Sequence, residues 1–210
     1  MSVGRIIEVD ACVAEGAAFL AEADPRMAHA LKTVGVLPLR RQGDGFDALL
    51  SAICGQQVSV ASASAIWGRL EAAGMTAPEA VAASDVEALR ALGLSRPKAR
   101  YAIALSQAGI DFAALRDLPT EEVVARLTQV PGIGVWTAEI YAMFSLGRAD
   151  VLAAGDLALQ EGARMLYELP KRPRDRDLRA MAEAWAPWRS VAARVLWAYY
   201  AHVKSREGIR

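Results

Sequence analysis

The segment LTQVPGIGVWTAE, Leu127–Glu139, decides the fold of this chain. Pro131 has no amide hydrogen and its ring clashes with a continuing turn, so a helix is predicted to end there. Gly132 and Gly134 flank one apolar residue, which is typical of a very tight turn. A new helix is predicted to begin directly afterwards. Because the first amides of a helix have no partner inside it, this start is predicted to attract an anion, most naturally a phosphate.

Apolar residues recur at helical spacing along nearly the whole chain, and the sequence shows no convincing strand alternation. A helix that begins near residue 46, for example, carries Leu49, Leu50 and Ile53 on one face. Helices with both ends predicted cover about 13–20, 27–34, 58–73, 135–146, 156–169, 175–185 and 190–206. A further helix runs from 46 to an interruption at 55–57, and another runs from 120 to Pro131. A short helix ends near 93, and the next begins near 96.

Composition limits the class of protein. The chain has 210 residues, of which 54% are hydrophobic, enough for one substantial domain or two small lobes sharing a core. No apolar run approaches the roughly 20 residues of a membrane span, and acidic residues interrupt the N-terminal stretch, so we expect no membrane partner and no secretory signal. Cys12 and Cys54 are the only cysteines, which indicates a reducing cytoplasm rather than a disulfide framework.

The formal net charge is +0, whereas proteins that bind nucleic acid usually carry a basic excess. Two basic clusters could supply a local excess or could be ordinary solvated surface. They comprise Arg96, Lys98 and Arg100, and then Lys171, Arg172, Arg174, Arg176 and Arg179.

An apolar loop, Val151–Gly155, places a single acid at the start of a predicted helix. This acid is Asp156, and Asp is a favoured N-cap residue, so a purely structural role is one interpretation. The other interpretation is that the loop delivers the carboxylate to a reacting group.

Four segments together resemble one family in their order and spacing. They are GFDALLSAICGQQVS (45–59), the hairpin with Trp136, the loop that ends at Asp156, and Trp185–Ser190 with Leu196–Trp197. In these segments the chain resembles the alkylpurine DNA glycosylases of the helix-hairpin-helix superfamily, of the bacterial DNA-3-methyladenine glycosylase II type.

The resemblance, which runs from about residue 38 to residue 200, implies an all-α, two-lobed helix-hairpin-helix glycosylase fold with the active-site cleft between the lobes. It implies one glycosylase unit (1–210), with a central lobe (44–148) containing the hairpin (128–136) and a second lobe made of 1–43 and 149–210. The implied activity is hydrolysis of the N-glycosidic bond of alkylated purines, of the 3-methyladenine and 7-methylguanine type, in double-stranded DNA by base flipping. We expect a cytoplasmic monomer that requires no cofactor.

The resemblance also implies roles for individual residues. Asp156 is the expected catalytic residue, because a carboxylate stabilises positive charge on the sugar and orients the attacking water. The expected base pocket comprises Trp136, Ile140, Leu157 and Trp197. The expected DNA contacts are Gln56, Gln57, Gly132, Gly134, Lys98 and Arg189. The backbone carbonyls of Thr128, Val130 and Ile133 are expected to hold a monovalent cation.

Several of these roles have a structural alternative. The tryptophans could be core residues, the two glutamines could cap a helix end, and Lys98 and Arg189 could form internal ion pairs. The rival functions are a glycosylase for oxidised or mismatched bases and a non-catalytic helix-hairpin-helix module that binds DNA.

The chain departs from the family pattern at two places. Ala154-Gly155-Asp156 replaces the usual Gly-Pro-Asp, and Gln57 stands where an apolar wedge is common. Trp136 occupies the hairpin position where bifunctional relatives carry a Schiff-base lysine, and the four clustered cysteines of iron–sulfur relatives are absent from the C-terminal part. The sequence therefore predicts a monofunctional enzyme that leaves an abasic site.

Overall fold

The computed structural model describes residues 3–206, and over this range the chain is folded into helices joined by turns, with an isolated antiparallel bridge between Ile6 and Arg148. The predicted all-α fold is confirmed. The helices are α1 (Asp10–Ala23), α2 (Pro25–Val34), α3 (Phe46–Gly55), α4 (Val60–Ala72), α5 (Pro78–Ala82), α6 (Val86–Ala91), α7 (Arg96–Gln107), α8 (Phe112–Leu115), α9 (Thr120–Leu127), α10 (Val135–Phe144), α11 (Leu157–Leu166), α12 (Asp175–Met181) and α13 (Arg189–Arg206), with a 3-10 turn at Ala182–Trp185.

Side-chain caps fix where several helices begin. The Asp85 carboxylate accepts from the Ala88 amide at 2.8 Å and starts α6. The sequence predicts that α4 starts at residue 58, but Ser59 takes the cap position and accepts from the Ser62 amide at 3.2 Å, so α4 starts at Val60. The sequence did not predict α5 and α8, because helices of 5 and 4 residues contain less than two turns of the 3.6-residue period.

The prediction that the helix before the hairpin runs to Pro131 is wrong, because α9 ends at Leu127. The Thr128 hydroxyl donates to the Val124 carbonyl at 2.8 Å, and the Val130 amide donates to the Leu127 carbonyl at 3.1 Å in a tighter turn. Proline disfavours helical backbone at the residue that precedes it, so Val130 cannot continue the helix.

Cα packing divides the chain into two compact units. The unit formed by Gln42–Tyr141 is organised around α7, which packs against α3, α5 and α6. Leu49, Leu50 and Ile53 of α3 are fully buried in its core, as their spacing predicts. The expected lobes, 44–148 and 1–43 with 149–210, stay a prediction.

The other unit contains residues 1–41 and 142–210, of which 3–41 and 142–206 are described. Its longest helix, α13, packs against α1, α2 and α11. A Cβ at Gly162 would lie 2.7 Å from the Leu196 carbonyl oxygen, so α11 approaches α13 more closely than any side chain at position 162 would permit. Among the described residues, no helix combines the length and apolar character that crossing a membrane requires.

Candidate functional site

The turn between α9 and α10 contains two glycines that have different surroundings. Gly132 has φ +92°, and a Cβ there would lie 2.3 Å from Cγ of Tyr101. Gly134 is exposed, its φ is not positive, and a Cβ there would meet no heavy atom within 4 Å. Packing and backbone conformation therefore explain Gly132, whereas neither of them requires a glycine at position 134.

Hydrogen bonds close this turn from inside. The Ile133 amide donates to the Val130 carbonyl at 3.0 Å, and the Ala138 amide donates to the Gly134 carbonyl at 3.0 Å as α10 begins. The carbonyl of Val130 keeps a second lone pair, so the predicted donor set of three backbone oxygens fits a hard monovalent cation chemically. Residues 3–206 contain no cluster of three or more His, Cys, Asp or Glu side chains suited to a metal ion.

A second turn, at residues 55–57, follows α3. Gln56 has φ −60° and ψ 128°, and Gln57 has φ +56°, in the left-handed region that non-glycine residues rarely occupy. The Gln56 amide nitrogen Nε2 donates to the Gly132 carbonyl at 2.9 Å, so its head is directed to the hairpin. Gln57 is exposed. The structure therefore gives these two neighbours different environments.

A cavity of about 1160 Å³ lies within the Gln42–Tyr141 unit and is lined by α3, the 55–57 turn, α4 and the start of α10. Trp136, which is 43% exposed, and Ile140 both line it, as does Gln57. Trp67 of α4 also lines this cavity, and sequence reasoning missed it. Its spacing of seven from Val60, another lining residue, was the available signal, because positions i and i+7 share a helix face.

Asp156 occupies the N-cap position of α11 and receives three hydrogen bonds on one oxygen. Its Oδ1 accepts from the amides of Ala158 at 2.9 Å and Leu159 at 3.0 Å. The indole Nε1 of Trp197, on α13, donates to the same oxygen at 3.2 Å. Asp156 is therefore the N-cap of α11, as the structural interpretation predicts. The Trp197 indole adds a tertiary contact that an N-cap does not need.

Trp197 is half-buried and stacks on Phe144, with ring centroids 5.8 Å apart and an interplanar angle of 30°. The buried Arg194 guanidinium lies 4.9 Å from the centroid of the Phe144 ring and donates to the Ser190 and Leu39 carbonyls. Burial lowers the pKa of Arg194 to about 10. Sequence reasoning missed both Phe144 and Arg194. By contrast Leu157, expected in the base pocket, is 61% exposed at the start of α11.

Two of the residues expected to contact DNA have partners inside the protein. The ammonium of Lys98 is buried and donates to the Cys54 carbonyl at 2.8 Å. Nη1 of Arg189 donates to the Asp150 carboxylate at 2.9 Å, and its Nε donates to the Ala182 carbonyl. The structure therefore shows the internal partners that the structural alternative predicts, and contact of these two cations with phosphate stays a prediction.

Comparison with known proteins identifies the family. Residues 50–189 match the profile described as HhH-GPD superfamily base excision DNA repair protein. The chain is 35% identical over 161 residues to DNA-3-methyladenine glycosylase 1 of Schizosaccharomyces pombe, covering 72% of this chain and 71% of that protein.

Two solved structures agree with this match. The Bacillus halodurans DNA-3-methyladenine glycosidase has a TM-score of 0.78 and 36% identity, covering 90% of this chain and 88% of that one. The S. pombe 3-methyladenine DNA glycosylase in complex with abasic DNA has a TM-score of 0.76 and 34% identity, covering 87% and 95%. The predicted resemblance is confirmed: the chain belongs to the HhH-GPD superfamily of base excision DNA repair proteins, within its DNA-3-methyladenine glycosylases.

Proposed function

We propose that this protein is a monofunctional DNA glycosylase that hydrolyses the N-glycosidic bond of alkylated purines in double-stranded DNA. The observation that carries the proposal is the environment of Asp156, whose Oδ1 is fixed by two α11 amides and the Trp197 indole. A carboxylate held this firmly suits electrostatic stabilisation, which depends on groups that do not reorganise during the reaction. The relatives named above act on 3-methyladenine, and we extend that substrate class to this chain.

The chemistry requires one carboxylate and one water. Alkylation at a ring nitrogen makes the purine cationic, so the base departs with the electron pair of the N–C1′ bond and becomes neutral. The sugar is left with positive charge, which Asp156 stabilises while it orients the water and receives its proton. The water oxygen bonds to C1′, and the product is an abasic site. No general acid is needed, because the leaving base is already charged.

We propose that the backbone of the hairpin holds a DNA phosphate beside the lesion. Gly134 supports this role, because the space beside its α-carbon is open and α10 begins one residue later at Val135. The first amides of a helix and its dipole favour an anion at such a position. The carbonyls of Thr128, Val130 and Ile133 would hold a monovalent cation that contributes positive charge next to the same phosphate.

The flipped base is proposed to enter the cavity lined by Trp136 and Ile140, while Gln57 fills the gap left in the stack. An indole face attracts a cationic base by about 0.5–2 kcal/mol. Because Trp136 replaces the lysine of bifunctional relatives, no Schiff base forms and the strand is left uncut. We further propose that Trp197 and Leu157 contact the same base, and that the protein acts as a cytoplasmic monomer.

Basic side chains contribute less to this proposed DNA contact than their number suggests. Arg96 of the first cluster pairs with Glu87 at 2.9 Å, and Arg179 of the second pairs with Asp175 at 2.8 Å. Lys98 is directed into the interior. Backbone amides and a cation at the hairpin are a physical route by which a chain with a formal net charge of +0 binds a polyanion.

The decisive test is Asp156→Asn. Asparagine keeps an Oδ1 that accepts the Ala158, Leu159 and Trp197 hydrogen bonds, so the fold is expected to persist while the negative charge is lost. Release of 3-methyladenine and 7-methylguanine from methylated DNA, separated by chromatography, should fall to background, and affinity for an abasic duplex should remain. Undiminished base release by this variant would refute the mechanism. If the wild-type protein binds the duplex but releases no base, it is a non-catalytic DNA-binding module. If it releases only oxidised or mismatched bases, it is a glycosylase for those bases.

A further inference from the structure

Helix α7 contacts the hairpin and the end of α3, which leads directly into the 55–57 turn. Lys98 and Tyr101 are three residues apart and therefore share one face of this helix. Nζ of Lys98 donates to the Cys54 carbonyl at 2.8 Å, in the last turn of α3. The Tyr101 ring lies against Gly132, in the space that a side chain at that position would need.

A direct hydrogen bond also joins the two turns. Gln56 Nε2 donates to the Gly132 carbonyl at 2.9 Å, and this contact is partly buried. Gln57 follows Gln56 directly and has φ +56°. The segment that leads into Gln57 is therefore bonded to Lys98 at Cys54 and to the hairpin at Gln56.

We propose that Lys98 and Gln56 form a positioning relay that fixes the Gln57 turn relative to the hairpin, so that insertion into the base stack and binding of the neighbouring phosphate occur in register. The inference rests on the proposed function. It assigns Lys98 and Gln56 to positioning rather than to DNA contact, because their polar heads are committed to the Cys54 and Gly132 carbonyls.

The buried cation is difficult to explain by stability alone. Lys98 is 9% exposed, and removing an ammonium from water costs free energy that its hydrogen bond to a neutral carbonyl offsets only in part. Burial accordingly lowers the pKa of Lys98. A methionine of similar length could fill the same space without that cost, so the benefit of the lysine is the hydrogen bond that holds the end of α3.

Loss of either relay hydrogen bond should slow excision more than it weakens DNA binding. The hairpin still contacts the phosphate, but the Gln57 side chain no longer enters the base stack at the correct position. A misplacement of about 1 Å can reduce a rate by about 100-fold. We expect Lys98→Met and Gln56→Met each to lower the single-turnover excision rate at saturating enzyme by about 10- to 100-fold. Affinity for an abasic duplex should change by only a small factor.

The experiment is a double-mutant cycle on methylated duplex DNA, with 2-aminopurine next to the lesion to report opening of the stack. Members of one relay are not additive, so the double variant should be no slower than the worse single variant, and both singles should show a reduced 2-aminopurine signal. The control is Arg69→Met, which removes a cation-to-carbonyl hydrogen bond to Leu92 in the same unit and should leave rate and signal unchanged.

All variants are assayed well below their melting temperatures. If Lys98→Met does not fold, Gln56→Met alone tests the relay through its excision rate and its 2-aminopurine signal, because Gln56 is half-exposed and its replacement disturbs the core less. Excision at the wild-type rate by the relay variants, or a double variant slowed by the product of the single effects, would overturn the relay and leave the glycosylase proposal standing. Absence of base release by the wild-type protein would instead remove the proposed function itself.

Discussion

The two hairpin glycines allow structural and binding effects to be separated by one substitution each. Gly134→Ala introduces a Cβ into open space at a φ that is not positive. Because alanine restricts the unfolded chain, stability should be unchanged or rise by about 0.4–1 kcal/mol. If a phosphate lies against this backbone, the methyl group displaces it and removes a charge-assisted hydrogen bond that contributes about 1.5–3 kcal/mol. Affinity for an abasic duplex should therefore fall by about 10- to 100-fold.

Gly132→Ala, by contrast, should mainly lower the stability of the fold. The backbone at φ +92° costs an alanine about 1–2 kcal/mol, and its Cβ, 2.3 Å from Cγ of Tyr101, adds an overpacking cost of about 1–3 kcal/mol. The sum, about 2–5 kcal/mol, corresponds to a melting temperature lower by about 4–20 °C in a chain of this length. Circular dichroism melts and fluorescence anisotropy with a labelled duplex measure the two effects. Wild-type affinity in Gly134→Ala, or melting as low as that of Gly132→Ala, would refute the assignment of Gly134 to phosphate binding.

Three further predictions concern the 55–57 turn, the cavity and the core. Gln57→Gly removes the backbone strain of the left-handed conformation and should raise stability by about 0.5–1 kcal/mol, whereas Gln57→Ala should not. Both variants should slow excision. Equal melting temperatures of the two variants would contradict the strain argument. Trp136→Ala should reduce excision of cationic N-methylated purines about 2- to 30-fold more than excision of neutral purines of similar size, and equal losses in a competition assay would argue against a cation–π pocket. Burial raises the pKa of the Cys54 thiol to about 11, so above pH 9 the thiol ionises more readily in the unfolded state than in the folded state. The free energy of unfolding, measured with urea, should therefore fall between about pH 9 and 11. Cys54→Val should flatten that part of the pH profile.

The helices and the hairpin were predictable because they are local. The periodic apolar positions of α3 and the Pro-Gly-x-Gly order around residue 132 are visible within one window of sequence. Asp156 was predictable for the same reason, since its cap contacts reach only two and three residues ahead. The relay was not predictable, because Gln56 binds a carbonyl 76 residues away and Lys98 binds one 44 residues away. A polar residue in a linear sequence carries no sign of whether its partner is a phosphate or a distant carbonyl.

The distribution of polarity around this site runs against the usual expectation for proteins that bind nucleic acid. Lys98 is buried and donates to a backbone carbonyl, whereas Val60 and Trp136, which line the cavity of the same unit, are 88% and 43% exposed. Exposed apolar side chains that are gathered at one cavity are typical of a binding site for a partner. An unstacked base pair and an extruded purine supply such partners, because their faces are flat and weakly hydrated. We therefore propose that these exposed residues recognise the lesion by stacking, while the buried Lys98 holds the end of α3, which lies beside them.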